Sequence, residues 1–331
     1  MPLGEFDLIA KYFTRPVKRA LLGIGDDCAL LAAAPGMQWA VSSDMLVDGR
    51  HFLPTVAPHK LGHKALAVNL SDLAACGAKP LAFTLALALP RVDEPFLQGF
   101  SDGLFALADE AGCELVGGDT TQGPLTICIT VFGDLPVGQA LLRSGAQAGD
   151  DIYVSGTVGD ARLALEAFRG TVALERADFE SVRRAMEQPQ PRVALGQALR
   201  GLASSAIDVS DGLLGDLAHI LRRSSVGAVV DVDAVPRSAV LARQLPALQR
   251  TCTLAGGDDY ELVFTAAPRD AAAVQAAARQ AGVTVTRFGT INGDMNGDIN
   301  GDTGLRLVDR ERRPVDNRFD SFDHFGSQGQ S

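Results

Sequence analysis

The feature that most constrains this chain is a recurrence: short apolar runs that each lead into a carboxylate. Leu21–Leu31 (LLGIGDDCALL) carries Asp26 and Asp27, Trp39–Asp44 (WAVSSD) delivers Ser42, Ser43 and Asp44 at its end, and Leu115–Thr121 (LVGGDTT) runs into a Gly-rich turn carrying Asp119. Each reads as a short strand whose polar end faces a site. Taken singly, each is also an ordinary turn, because Gly and Asp favour turns. A fourth carboxylate, Asp72, falls in Val68–Pro80 (VNLSDLAACGAKP), the end of a helix predicted from about Leu61. Leu66, Leu70, Leu73 and Gly77 recur there at helical spacing and form a packed stripe. The helical neighbours of Asp72 are Val68, Asn69, Ala75 and Cys76, and no Lys or Arg stands between Ala65 and Gly77. A carboxylate among apolar groups is costly without a cation, which must then come from elsewhere in the fold or be a metal ion. The plainer reading of Asp72 is a surface residue or local cap.

If that helix covers the strand ends, four carboxylates meet. At ~5 Å and an effective dielectric of ~20 each pair repels by about 3 kcal/mol, so such a cluster persists only around cations. Oxygen ligands without His or Cys suit Mg²⁺ rather than zinc. His51, in the segment Met45–Phe52, reads first as a loop residue.

The remaining strands and helices alternate. Gly4–Phe13 and Phe96–Ala111 have helical spacing, Leu81–Leu89 (LAFTLALAL) is a strand expected to be buried on both faces, and Thr126–Phe132 is another strand. Pro136–Asp150, rich in Gly and containing the isolated Arg143, marks a domain boundary. With 331 residues two domains are expected, 1–137 and 138–331. The second half repeats the theme without a readable sequence repeat. Asp151–Ser155 is a strand leading into GTVGDA, a turn able to cradle an anion at a helix start. Ala206–Gly212 (AIDVSDG) ends in Asp208, Ser210 and Asp211, and Ala255–Phe264 (AGGDDYELVF) carries Asp258 and Asp259. The repeat NGDMNGDINGD, 292–302, does not fit an EF-hand register and is expected to be a mobile surface loop, with 326–331 a disordered tail.

Composition narrows the partners. The net charge is −10 and the pI about 5.0, which argues against nucleic acid as a bulk partner while leaving a metal-bridged nucleotide open. No run of about 18 apolar residues exists, so no membrane span is expected. The N-terminus lacks the pattern of a signal peptide. The five cysteines show no CxxC spacing and mostly sit in apolar runs, as expected of reduced thiols in a cytoplasmic protein.

The ordered segments GEFDLIAKYF, GIGDDCALL, SSDMLVDGRHF, KALAVNLSDLAACGA, GGDTTQGPL, LLRSGAQAGD, IDVSDGL, GGDDYELVF and FDHF span nearly the whole chain. In them the chain resembles the thiamine-monophosphate kinases, within the superfamily of aminoimidazole ribonucleotide synthetase and selenophosphate synthetase. The resemblance implies an α/β (α+β) fold of two domains, the N-terminal sheet forming the interface of a homodimer. It implies ATP as co-substrate, held across acidic surfaces by several Mg²⁺ ions; no Walker-type loop is present in the sequence. By position, Asp27, Asp44, Asp72, Asp119, Asp208 and Asp211 would hold metal, with Ser42 and Ser43 adding oxygens. Gly118, Asp119, Arg143 and Ser210 would contact ATP, and His51, Asp258 and Phe322 the thiamine monophosphate. The chain departs from the family at Asp258, where Glu is usual, at Ser43, where Thr is frequent, and at Phe322, where relatives carry Tyr. The implied activity is direct in-line transfer of the γ-phosphate to thiamine monophosphate, without a protein nucleophile. Two other classes compete: another ATP-using enzyme of the same superfamily, and a non-catalytic Mg²⁺–nucleotide sensor.

Overall fold

The computed structural model describes residues 4–24, 28–32, 34–293, 304–317 and 319. Asp27, Phe322, residues 294–302 of the NGD repeat and the tail 326–331 lie outside the described residues. The chain divides into two compact units, Met1–Leu73 with Ala78–Ala140, and Ala74–Gly77 with Leu141–Ser331.

The first unit contains α1 (Glu5–Tyr12), β1 (Met37–Val47), α2 (Pro58–Ala75, its last residues counted with the second unit), β2 (Lys79–Leu89), α3 (Glu94–Ala111), β3 (Glu114–Gln122) and β4 (Thr126–Pro136). The strands form one sheet in the order β1-β4-β2-β3, antiparallel except for the parallel pair β2–β3. One face is apolar and covered: Phe83, Leu85, Leu87, Ile127, Ile129 and Val131 are all buried. Helix α2 carries apolar residues on every side, with Leu61, Leu66, Leu70 and Leu73 buried. It lies very close to α3. A Cβ at Gly62 would sit 2.0 Å from the Phe100 carbonyl oxygen and one at Gly103 1.7 Å from that of His59, so only glycine permits this approach. Helix α3 is closed at both ends. Asp93 accepts the Phe96 N–H at 3.1 Å at its start, and Gly112 at φ +62° ends it.

Three expectations change here. Trp39–Asp44 does not end at its aspartate, because β1 runs on to Val47 in unbroken register with β4, Met37 opposite Pro136 through Val47 opposite Thr126. The segment around Asp119 is strand rather than turn: β3 holds its pairing with β2 as far as Gln122, absorbing one extra residue at a register shift between Phe83 and Thr84. Strand β2 is not buried on both faces, since Ala86 is exposed and Leu81, Thr84 and Ala88 are half-buried. The open face of this sheet also carries Trp39, Val41 and Met45 of β1, each at least 40% exposed.

The second unit contains β5 (Asp151–Ser155), α4 (Asp160–Phe168), α5 (Arg176–Glu187), α6 (Val193–Ala198), β6 (Ala203–Asp208), α7 (Leu213–Ser224), β7 (Gly227–Asp231), α8 (Ala239–Ala242), α9 (Pro246–Ala255), β8 (Leu262–Ala266), α10 (Ala271–Gln280), β9 (Val285–Asn292), β10 (Leu305–Val308) and β11 (Pro314–Val315). Its strands form one mixed sheet ordered β11-β10-β7-β9-β5-β8-β6. Alternation along β5 shows how both faces are filled. Ile152 and Val154 pack with Leu213, Leu217 and Ile220 of α7, whereas Tyr153 packs with Leu195 of α6, Leu199 at its end and Val274 of α10. Asn292, expected to begin the loop, is instead the last residue of β9, opposite Gly227.

Candidate functional site

In the first unit the polar group forms where β1 meets α2. Ser42 and Asp44 are two residues apart on one strand and so share a face. Asn69 and Asp72 are three apart on α2 and share a face in the same way. The Ser42 hydroxyl donates to Asp72 Oδ2 at 2.5 Å, and the Asp44 backbone N–H donates to Asn69 Oδ1 at 3.0 Å. Asn69 is 1% exposed, and its amide is tied back to the Ala65 carbonyl at 3.0 Å. Ser43 faces the other way. Its hydroxyl donates to the Ile129 carbonyl at 3.1 Å and lies 3.0 Å from Thr130 Oγ1, on the open face of the sheet.

Asp119 is not part of this group. Strand order puts β1 and β3 on opposite edges, three strand spacings or roughly 14 Å apart. Asp44 stands in register with Ile129, Leu85 and Gly118, and Asp119 one rung along, with Ala86, Cys128 and Met45. The expectation of one pooled cluster therefore does not hold for Asp44 and Asp119 within a chain. Trp39–Asp44 and Leu115–Thr121 do lie in strands, whereas the described residues of Leu21–Leu31 form no strand and pair only through an isolated bridge between Leu22 and Leu30; the order of strands is set by pairing that the sequence does not display. No group of three or more His, Cys, Asp or Glu side chains among the described residues stands close enough to hold a metal ion by itself. His51 follows β1 in a tight turn, its N–H bonded to the Val47 carbonyl and its ring Nδ1 accepting the Val47 N–H at 2.9 Å. Lys64, buried, donates to the His51 carbonyl at 3.2 Å.

The second unit brings two predicted loops together. Asp208, 5% exposed, ends β6 opposite Leu262 of β8. Beyond it the ladder continues through loop backbone: Val209 N–H to the Glu261 carbonyl, Tyr260 N–H to Val209 and Asp258 N–H to Ser210, each 2.8 Å. The loop bearing Ser210 and Asp211 is held by a residue the sequence reading passed over, Asp216. Its Oδ2 accepts the N–H groups of Ser210, Asp211 and Gly212, all at 3.1 Å. An acid in the first turn of a helix, just after a Gly, was the available signal. Burial, with Asp211 nearby, raises the Asp216 carboxyl to about 7 despite those donors.

Asp258 sits at φ +70° and Tyr260 at φ +52°, both in the left-handed region, and the Tyr260 hydroxyl donates to Asp258 Oδ1 at 3.1 Å. The anion cradle expected in GTVGDA is occupied by the chain's own Asp259, both of whose oxygens lie 2.9 Å from the Gly159 nitrogen. Arg143 is exposed, and its carbonyl accepts from Ser224 Oγ at 3.3 Å. It lies near His219 of α7, whose ring is shifted to lower pKa by burial first and then by Arg222 and Arg143, with Asp211 opposing. Arg143 and Asp211 thus share the neighbourhood of one imidazole.

Comparison with known proteins follows the same lines. Residues 25–135 match the model for AIR synthase related protein, N-terminal domain, and residues 147–301 that for AIR synthase related protein, C-terminal domain. Over 332 aligned residues the chain is 46% identical to the thiamine-monophosphate kinase of Salmonella typhimurium, covering 99% of this chain and 100% of that protein. It is 45% identical to the thiamine-monophosphate kinase of Escherichia coli K12 over the same span. The crystal structure of thiamine-monophosphate kinase from Stenotrophomonas maltophilia K279a superposes with a TM-score of 0.82 at 44% identity, covering 93% of this chain and 95% of that one. The chain belongs to the thiamine-monophosphate kinase family.

Proposed function

We propose that this protein transfers the γ-phosphoryl group of ATP to the phosphate of thiamine monophosphate, giving thiamine diphosphate and ADP. The observation that carries the reading is 46% identity to a thiamine-monophosphate kinase across 99% of this chain and all of that protein. The acceptor is a phosphate oxygen, already ionised at neutral pH. The reaction therefore needs no protein nucleophile or base, only positioning and charge neutralisation, with attack in line with the leaving oxygen.

The donors proposed for Mg²⁺ are Asp27, Ser42, Asp44, Asp72, Asp119, Asp208 and Asp211, with Ser43 turned to the opposite sheet face in this chain. Their chemistry fits: the Ser42–Asp72 contact and the neighbouring Asp44 offer only oxygen, which suits a hard cation. When bound, Mg²⁺ offsets the charge of two phosphates brought together and polarises the group transferred. The chain's own contributions are separate. Gly118, Asp119, Arg143 and Ser210 are assigned to ATP, Arg143 as the guanidinium able to bind phosphate with two donors. His51, Asp258 and Phe322 are assigned to thiamine monophosphate. Asp258 is one methylene shorter than the family's usual Glu, and the Tyr260 hydroxyl on its carboxylate limits where that shorter side chain points.

A homodimer is part of the proposal. Trp39, Val41 and Met45 lie 40%, 56% and 53% exposed on the open face of the first unit's sheet, with Phe132 edge-on to Trp39 at 6.3 Å. Large apolar side chains exposed on an open sheet face are what a second copy would cover. No helix among the described residues is long and apolar enough to cross a membrane, and all five cysteines are free, in keeping with a cytoplasmic site of action.

The direct test is incubation of the purified protein with thiamine monophosphate, ATP and Mg²⁺. Thiamine diphosphate formed one-for-one with ADP supports the reading. ADP without thiamine diphosphate would point to another enzyme of the superfamily, and neither product to a nucleotide sensor.

A further inference from the structure

We propose that Arg192 is a positioning residue for thiamine monophosphate, acting through Glu261 on the 256–260 loop; the inference rests on that loop presenting Asp258 to the substrate. Arg192 immediately precedes α6. Its Nε donates to Glu261 Oε2 at 2.7 Å and its Nη2 to Oε1 at 2.5 Å, a two-pronged pair on a carboxylate that is only 5% exposed. Ser155 adds a third bond, its hydroxyl donating to Oε2 at 2.5 Å while its oxygen accepts the Leu262 N–H at 2.8 Å. Gly156 makes the space. It sits at φ +56°, and a Cβ there would fall 2.1 Å from Glu261 Oε1. Three residues from two separate segments, Ser155 with Gly156 and Arg192, are thus built around one carboxylate.

What the carboxylate anchors is the start of β8, and with it the substrate loop. Glu261 accepts the Val209 N–H through its own carbonyl, next to the bonds that tie Tyr260 to Val209 and Asp258 to Ser210. Asp258 and Tyr260 both hold left-handed backbone, a conformation that persists only where the surroundings impose it. A buried ion pair is a weak source of stability, since burial of both charges offsets their attraction. Two parallel bonds do fix the plane and direction of the carboxylate, and so the backbone from which the strained loop departs. Loosening that anchor lets the loop relax and moves Asp258 off the substrate, while the Ser210–Asp211 turn stays tied to Asp216 by three bonds of its own.

Three variants test this in the full-length protein: Arg192→Lys, which keeps the charge but not the fork, Glu261→Gln, and the double variant Arg192→Met with Glu261→Met, which leaves no uncompensated charge. Each is first shown to melt in a single transition. The expected result is a KM for thiamine monophosphate raised about tenfold in the double variant and less in Arg192→Lys, with KM for ATP within about twofold of wild type. Unchanged KM values in variants whose melting temperature falls would overturn the positioning role and leave a purely structural pair. A parallel rise in both KM values would overturn it as well. Wild-type turnover of thiamine monophosphate, measured alongside, separates the two levels: without it the functional reading itself falls.

Discussion

At the scale of single residues, the site depends on carboxylates whose partners differ. Asp72 meets the Ser42 hydroxyl beside a strand, and Asp216 collects three backbone N–H groups in a buried turn. For Asp72→Asn we expect an intact fold, because removing one charge from an acidic region relieves repulsion. The Mg²⁺ concentration for half-maximal turnover should rise about tenfold, as expected for loss of one charged ligand. A folded variant with unchanged Mg²⁺ dependence would remove Asp72 from the metal set. Asp216 gives a pH prediction. Its carboxyl is raised from 3.8 to about 7 in the folded protein, so between those values the native state binds a proton that the unfolded state has lost. Its contribution is therefore present below pH 4 and is lost as pH climbs to 7, by on the order of 4 kcal/mol at most. Asp216→Asn should flatten the fall in stability between pH 4 and 7, which denaturant unfolding at each pH would reveal; an unaltered slope would contradict the shift. Asp72 was legible in the sequence because an acid among apolar neighbours is conspicuous. Asn69, one turn earlier on the same helix, carries the same signal less strongly because an amide is cheaper to bury. Asp216 was not singled out because its partners are backbone groups, which no side-chain pattern displays.

At the scale of elements, the helices and strands themselves could be read, and their ends less so. The helix bearing Asp72 follows its leucine stripe but begins at Pro58, ahead of Leu61, where the proline supplies a first turn that periodicity alone does not mark. The strands bearing Asp44 and Asp119 run past their aspartates because cross-strand pairing, once in register, continues until geometry stops it. Two glycines that looked like ordinary helix residues turn out to set the distance between α2 and α3. Gly103→Ala would place a methyl group 1.7 Å from the His59 carbonyl oxygen, inside any permissible contact. We expect it to destabilise the first unit by about 3 kcal/mol or more, since overpacking commonly costs 1–3 and backbone cannot move aside as a side chain does. Unchanged chemical denaturation would show that the helices separate freely.

At the scale of the whole molecule, two units, each with its own sheet and core, follow from the length of the chain and the repeated strand–carboxylate theme. What the sequence did not display is strand order, and that order separates Asp44 from Asp119 by the width of a sheet. The open apolar face of the same sheet supplies the dimer prediction. Trp39 is the chain's one tryptophan and lies on that face. At micromolar concentration the protein should sediment as a dimer, and Trp39→Glu should shift it to monomer, because a charge buried in an apolar contact is left desolvated. A wild-type monomer under those conditions would contradict the assignment of that face.

The central claim is that the phosphoryl group passes straight from ATP to thiamine monophosphate, the protein supplying position and charge but no covalent intermediate. ATP made chiral at the γ-phosphorus by oxygen isotopes tests it most directly. One in-line transfer inverts the configuration once, so the account predicts thiamine diphosphate with net inversion. Net retention, the mark of two successive transfers through a phosphorylated residue, would contradict it.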